Sequence, residues 1–226
     1  MTSIFAAAMG SDFARLHPEL QKRFGVSSAA GISCVGSGVM DEIWRGASFT
    51  VPFLWIGAWR NILVPTRGRA VPFTIENYAY VDSLGRETVT FNRTFELPGY
   101  RRARFDATMV RGASGGIIDY LGSHQHLAVD LEMVAEHDGS LTIRSGAQRF
   151  YGRAIGLRLP DVLTGQAVLH ERFDEATERF AIDVRVSNKR FGDLCGYRGT
   201  FTCDYPATSS TGVPASAKPR RDEVRE

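Results

Sequence analysis

The sequence predicts a mostly β protein: an antiparallel β-barrel or half-barrel, lipocalin-like in outline, with a helical segment at its N-terminus. From residue 31 onward apolar residues recur with a period of two, which is typical of half-buried strands. These short runs are bounded by Gly, Asp, Asn and Pro and follow one another closely, as in all-β barrels and sandwiches. A length of 226 residues with 43% hydrophobic content suits one large β domain or two small ones.

The first element is helical and covers residues 3–24. Pro18 suits a first helical position, and Gly25 suits a C-terminal stop. Apolar residues at helical spacing form one face of this segment: Phe5, Met9, Phe13 and Leu16. We expect residues 1–30 to pack on the barrel as a lid or plug.

The barrel domain is predicted over residues 31–205. Its central stretch, 115–134, reads as two strands joined near residues 121–123. The apolar stretch 48–65 fits either a short helix or a buried crossing, because short apolar runs are ambiguous. The other predicted strands are 35–44, 72–81, 87–95, 101–110, 140–144, 148–159, 165–173, 181–186 and 196–203.

The last segment, residues 206–226, is rich in Pro, Ser, Ala and charge and has almost no large apolar residue. Such a composition buries too little apolar surface to offset the entropy of ordering. It therefore predicts a disordered tail.

Charge and cysteine content narrow the function classes. A net charge of +2 without a basic stripe argues against a nucleic-acid partner. Cys34, Cys195 and Cys203 form no CxxC pair, which favours reduced thiols and a cytoplasmic location. The apolar run at residues 4–9 is too short to span a membrane and lacks the flanks of a signal peptide. The common nucleotide-binding, nucleophile-elbow and zinc motifs are missing, so we expect no cofactor.

Alternation along the strands places strong polar groups on apolar faces. Arg93 lies in register with Val89, Phe91 and Phe95, and the same reasoning turns Asp119, Glu171 and Tyr197 inward. A buried charge without a partner is costly, so these groups should meet one another, water or a ligand. Arg93 with Asp119 or Glu171 is the natural ion pair.

Two readings of this set remain open. It is either a structural ion-pair network or the polar floor of a pocket for a small, partly apolar molecule in the barrel lumen. In the second reading, aromatic side chains line the apolar part and one further arginine contacts the ligand: Trp55, Trp59, Phe91, Tyr151 and Arg149.

An enzyme is the second hypothesis. A carboxyl group in an apolar barrel has a raised pKa and can exchange a proton near neutral pH. Asp119 or Glu171, with Arg93 and Tyr197, would then serve a cofactor-free cyclase, isomerase or lyase. Under the third hypothesis, His124 and His126 lie on one face of a strand and bind a metal ion. The default for that strand face is a polar surface exposed to solvent.

Five sequence segments resemble a bacterial family catalogued as domain of unknown function 4166. The segments are FARLHPELQKRFG, NRTF, DYLG, HERF and FGDLCGYRGTF, and the likeness runs from Phe5 to about Phe201. In that family the polar positions fall at Arg93, Asp119, Glu171, Tyr197 and Gly199. The resemblance implies no activity; it adds weight to these positions.

Overall fold

The computed structural model describes residues 2–46, 67–97, 103–152, 155–160, 164–208 and 212–226. The N-terminal segment forms helices α1 (Ile4–Met9) and α2 (Pro18–Phe24) with a 3-10 turn between them at Gly10–Arg15. Eleven strands follow in the described residues: β1 (Cys34–Arg45), β2 (Gly68–Val81), β3 (Glu87–Phe95), β4 (Ala103–Arg111), β5 (Ile117–Leu121), β6 (Leu127–Ala135), β7 (Leu141–Tyr151), β8 (Gly156–Arg158), β9 (Gln166–Asp174), β10 (Arg179–Asn188) and β11 (Gly192–Asp204).

The strands form a closed antiparallel barrel, which confirms the predicted fold class. Each strand from β1 to β6 pairs with the next, and β1 also pairs with β11. From β11 the sheet continues through β10 and β9 to β7, and β7 closes the ring on β6. Ten of the described strands make this ring, while β8 pairs only with the end of β7. Closure abolishes free sheet edges.

Tight turns connect the hairpins at one end of the barrel, and two of them require glycine. Gly85 in the β2–β3 turn and Gly115 in the β4–β5 turn have φ values of 80° and 91°. Residues with a Cβ rarely adopt these angles. The backbone of the turns at residues 82–85 and 112–116 therefore requires glycine, and these turns fix the two hairpins.

The N-terminal helices close this same end of the barrel. Phe5 of α1 packs edge-to-face against Phe24 of α2 and against Phe91 on β3, with ring centroids 5.2 and 5.8 Å apart. The amide of His17 donates to the carbonyl of Gly139 in the β6–β7 turn. The apolar faces of the two helices thus cover the apolar core of the barrel at this end. None of the helices in the described ranges has the length and apolar character needed to cross a membrane.

The segment 212–226 packs against the outside of the barrel and so differs from the prediction of disorder. Arg221 donates to the carbonyl of His124, and Arg225 donates to the carbonyl of Gly152. Glu223 is 3% exposed and accepts hydrogen bonds from both arginines. Hydrogen bonds to backbone carbonyls therefore hold a segment that has few large apolar side chains.

Candidate functional site

A cavity of about 220 Å³ lies inside the barrel, away from the helices. Its walls are mostly apolar and come from β1, β4, β5, β6, β7, β9, β10 and β11, with Arg93 contributed by β3. Leu121 at the end of β5, Leu127 at the start of β6 and Leu194 near the start of β11 place it toward the end opposite the plug.

The cavity lies where strands β7 and β9 separate. Their ladder has only four pairs, from Leu141 opposite Glu171 to Arg144 opposite Val168. Beyond it, Ser145 accepts a hydrogen bond from the amide of Ala167, and Gln148 donates to the carbonyl of Gly165. The side chains of Ser145 and Gln148 both line the cavity. At this wall, hydrogen bonds between a side chain and the backbone therefore replace the hydrogen bonds between the two backbones.

Arg93 enters the cavity from β3. Its side chain is on the inward face, and the residue is 4% exposed. Within the described part of the chain, its Nε and Nη1 atoms are buried and have no hydrogen-bond partner. The guanidinium lies 4.5 Å from the ring centroid of Phe105, which offers only a cation–π contact. Among the described residues, Arg93 is thus a largely buried cation without a hydrogen-bonded anion.

Asp119 approaches from β5, on the inward face between Ile117 and Leu121. It is 7% exposed, and its Oδ1 atom is buried without a partner among the described residues. Burial raises the pKa of Asp119 to about 7, against an opposing effect of the Arg93 charge. Near neutral pH this carboxyl is therefore present in both protonation states.

Tyr197 is the third polar group of the cavity and comes from β11. Its ring packs against Phe95 with centroids 5.1 Å apart. Its hydroxyl is buried and has no hydrogen-bond partner in the described ranges. Burial raises the pKa of Tyr197, and the charge of Arg93 opposes the rise. Arg93 is thus close enough to act electrostatically on both Asp119 and Tyr197.

Glu171 does not belong to this group, which corrects the predicted floor of four residues. It faces inward on β9 but pairs with Arg23 of α2, whose Nε donates to Glu171 Oε1 at 2.5 Å. Both side chains are 1% exposed. Arg23 also donates to Asn77 Oδ1 and lies over the ring of Phe201. A helix arginine therefore neutralises Glu171 inside the barrel, where the plug meets the sheet.

Sequence reasoning missed Arg23, although the helix pattern contained a signal. Leu16, Leu20 and Phe24 are buried on the inner side of the helical segment. Position 23 lies three residues after Leu20, on the same face. A basic residue at an apolar helical position indicates a buried ion pair when an acidic residue faces inward on the sheet.

The predicted aromatic lining is corrected in part. Phe91 faces inward but packs under the plug, against Phe5 and Phe24, and does not line the cavity. Trp55 and Trp59 lie outside the described residues.

Tyr151 and Arg149 lie on the outer face of the barrel, contrary to the prediction. Arg149 makes a bidentate ion pair with Asp130, and the Tyr151 hydroxyl donates to the carbonyl of Glu226. The reason is a bulge: Val129 pairs with Gln148, but Leu131 pairs with Ser145. Between these two pairs, β7 advances by three residues while β6 advances by two. The residues of β7 that face the interior of the barrel therefore change from odd-numbered to even-numbered positions.

His124 and His126 belong to the β5–β6 turn, so the prediction that they lie on a strand is wrong. Their rings stack with centroids 5.9 Å apart. His126 Nδ1 lies 2.8 Å from the carbonyl oxygen of Tyr151 and 3.2 Å from Arg221. No three His, Cys, Asp or Glu side chains among the described residues come together as a metal site would require. These contacts tie the turn to the C-terminal segment.

Comparison with known proteins gives a family and a relative. Residues 16–201 match the family model described as "Domain of unknown function (DUF4166)". The chain is 35% identical over 202 residues to the uncharacterized protein YndH of Bacillus subtilis (strain 168), covering 89% of this chain and 97% of that protein. The family match spans the positions of Arg93, Asp119 and Tyr197. The chain therefore belongs to the DUF4166 family.

Proposed function

We propose that this protein binds a small, mostly apolar molecule in the cavity of its barrel. The observation that carries the proposal is the combination of apolar walls with polar groups that have no hydrogen-bond partner among the described residues: those of Arg93, Asp119 and Tyr197. Buried polar groups in folded proteins nearly always have hydrogen-bond partners. A ligand with an apolar body and one polar end would bring a hydrogen-bonding group to the wall of the cavity that these three residues form.

The size of the cavity limits the ligand. A cavity of roughly 150 Å³ is enough to bind benzene. A volume of about 220 Å³ therefore accommodates one ring with a short substituent, or an aliphatic chain of similar bulk. Few polar groups on mostly apolar walls are typical of small-molecule sites.

A steric block tests the binding function. Ala167 lines the cavity, whereas Val168, its neighbour on β9, is 42% exposed on the outer face. Ala167→Phe should fill the cavity and abolish both the binding of an environment-sensitive apolar dye with a single ring and the retention of co-purifying small molecules. Val168→Phe adds a similar ring to the same strand and should leave both unchanged. Equal dye binding by the two variants would contradict the proposal.

A second candidate is a cofactor-free enzyme that uses Asp119 for acid–base chemistry. It is favoured by the pKa of Asp119, which is raised to about 7 beside a cation and a phenol. A general acid or base works best with a pKa near the working pH. A cyclase, isomerase or lyase reaction would use such a group.

Stoichiometry separates the two candidates. The purified protein is incubated with a small-molecule extract, and every component is quantified by mass spectrometry. A binding protein removes at most one equivalent of its ligand per chain, whereas an enzyme converts many. Turnover that is lost in Asp119→Asn would establish catalysis; depletion limited to one equivalent would exclude it for the compounds present.

A further inference from the structure

We infer that the cavity's ligand carries a carboxylate, bound by the Arg93 guanidinium with the Tyr197 hydroxyl and the Asp119 carboxyl group as further hydrogen-bond donors. This inference rests on the proposed binding function and names the chemical class of the ligand. It follows from the charges that face the cavity, from the count of donors and acceptors, and from the cavity's volume.

Charge is the first argument. Arg93 is the one basic side chain among the described residues that line the cavity, and its Nε and Nη1 atoms have no partner there. A guanidinium keeps its charge and presents its N–H groups in a plane that matches a carboxylate. A buried cation without a hydrogen-bonded anion is costly, so the site favours an anionic group of the ligand over a cationic one.

The donor count is the second argument. Arg93 contributes only N–H donors, and Tyr197 contributes an O–H group. Ser145 accepts a hydrogen bond from Ala167, which leaves its own hydroxyl proton to donate. Asp119 in its protonated form adds another O–H donor. A carboxylate accepts about four hydrogen bonds and donates none, so it suits this set of donors.

A proton must accompany such a ligand. The titratable or charged groups that face the cavity are Arg93 on β3, Asp119 on β5, and Cys195 and Tyr197 on β11; the described lining residues of β1, β4, β6, β7, β9 and β10 are uncharged. Burial raises the pKa of Cys195 to about 12, so its thiol adds no charge. An ionised Asp119 balances Arg93 in the empty cavity. When a ligand carboxylate takes that place, two anions would share one cation unless Asp119 is protonated.

Three probes of matched shape test the inference: 3-phenylpropanoate, 3-phenylpropan-1-ol and 3-phenylpropylamine. Binding is measured by titration calorimetry at about pH 6 and about pH 8. At the lower pH we expect the acid to bind at least about tenfold more tightly than the alcohol, and the amine to bind least well. The advantage of the acid should fall about tenfold between these pH values, as Asp119 ionises.

Proton uptake provides an independent readout. Calorimetry in buffers of different ionisation enthalpy should show close to one proton taken up per acid bound at the higher pH. The alcohol should take up almost none. In Asp119→Asn the amide replaces the protonated carboxyl, so the acid should bind with little pH dependence and without proton uptake.

Two further variants identify the anion-binding group. Arg93→Met should remove the preference for the acid while the alcohol still binds, and Tyr197→Phe should weaken acid binding several-fold. Circular dichroism checks that each variant is folded. Alcohol binding as tight as acid binding, or tighter binding of the amine, would overturn the inference and leave the proposed function standing. Failure of all three probes and of the apolar dye would overturn both.

Discussion

Arg23 on helix α2 and Glu171 on strand β9 form an ion pair inside the barrel, with both side chains 1% exposed. The pair connects a short helix to the sheet at a sequence separation of 148 residues. The guanidinium also donates to Asn77 Oδ1 and lies over the ring of Phe201. The N-terminal segment is therefore joined to the barrel by a buried charge contact as well as by its apolar face.

Breaking this pair should destabilise the protein strongly. Arg23→Met leaves the Glu171 carboxylate buried without its cation, which typically costs about 3–5 kcal/mol. Urea unfolding followed by circular dichroism measures the loss of unfolding free energy. The double variant Arg23→Met with Glu171→Met should recover a large part of it, because no charge then remains buried.

An exposed pair serves as the control for that experiment. Arg198 and Glu42 are bonded at 3.0 Å, but their side chains are 59% and 35% exposed. Arg198→Met should cost less than about 1 kcal/mol. An Arg23→Met protein as stable as Arg198→Met would contradict the assigned role of the buried pair.

The hairpin order and most strand faces could be predicted because both are local properties. In β3, for example, Val89, Phe91 and Phe95 mark the inner face, and the same alternation turns Arg93 inward. If β3 were shifted by one residue against its neighbours, all of these apolar side chains would face solvent. The apolar pattern therefore determines the pairing register of the strand. Closure of the ring is different: it depends on a ladder of four pairs between β7 and β9, which has no distinct local signal.

The errors have identifiable causes. A bulge opposite Asp130 in β6 reverses the faces of β7 and turns Arg149 and Tyr151 outward; Gly146 lies at this bulge, and simple alternation ignores such a signal. The partner of Glu171 lies on a helix at the other end of the chain, so pairing strands alone could not find Arg23. The C-terminal segment is held by arginine side chains on carbonyls, whereas the disorder prediction considers only apolar burial.

Removing the Asp119 carboxyl should change how stability depends on pH. Its pKa is raised from 3.8 to about 7, so the folded state holds the proton more tightly than the unfolded chain. Stability due to this group is therefore fully present below about pH 4 and is lost as the pH rises towards 7. Between about pH 5 and pH 8 the loss is roughly 3 kcal/mol for a shift of this size.

The Asp119→Asn variant has no carboxyl at this position that could titrate. Its free energy of unfolding, relative to that of the unmodified protein, should therefore rise by roughly 3 kcal/mol between about pH 5 and pH 8. Urea unfolding at several pH values gives the difference. Asp41→Asn, which removes an exposed carboxyl from β1, should leave the pH profile nearly unchanged. Parallel profiles for Asp119→Asn and the unmodified protein would show that this carboxyl is ionised without cost.

Glu223 should control the attachment of the C-terminal segment. It accepts hydrogen bonds from Arg221 at 2.6 Å and from Arg225 at 2.7 Å, and these arginines donate to backbone carbonyls of the barrel. Glu223→Ala removes the ion pairs that orient both arginines towards these carbonyls, so the segment should open more often and trypsin should cleave after the arginines several-fold faster. Val224→Ala, at a side chain that is 68% exposed, should be cleaved at the original rate. Equal rates would mean that Glu223 does not hold the segment.

Arg93→Met should stabilise the ligand-free protein, the opposite of the same substitution at Arg23. The Nε and Nη1 atoms of Arg93 are buried without a hydrogen-bond partner in the described residues, whereas Arg23 has Glu171 and Asn77. A buried charge without a hydrogen-bonded partner carries a desolvation penalty of several kcal/mol, so an apolar side chain of similar length should raise the free energy of unfolding. The two variants are compared by their free energies of unfolding at about pH 5.5, where Asp119, with a pKa of about 7, is protonated and needs no cation.

A higher free energy of unfolding for Arg93→Met together with a lower one for Arg23→Met would show that Arg93 is kept at a cost to stability. Such a cost is common for groups that serve a binding site. A loss at both positions would mean that Arg93 is a structural residue, and the unpartnered atoms would then not indicate a ligand.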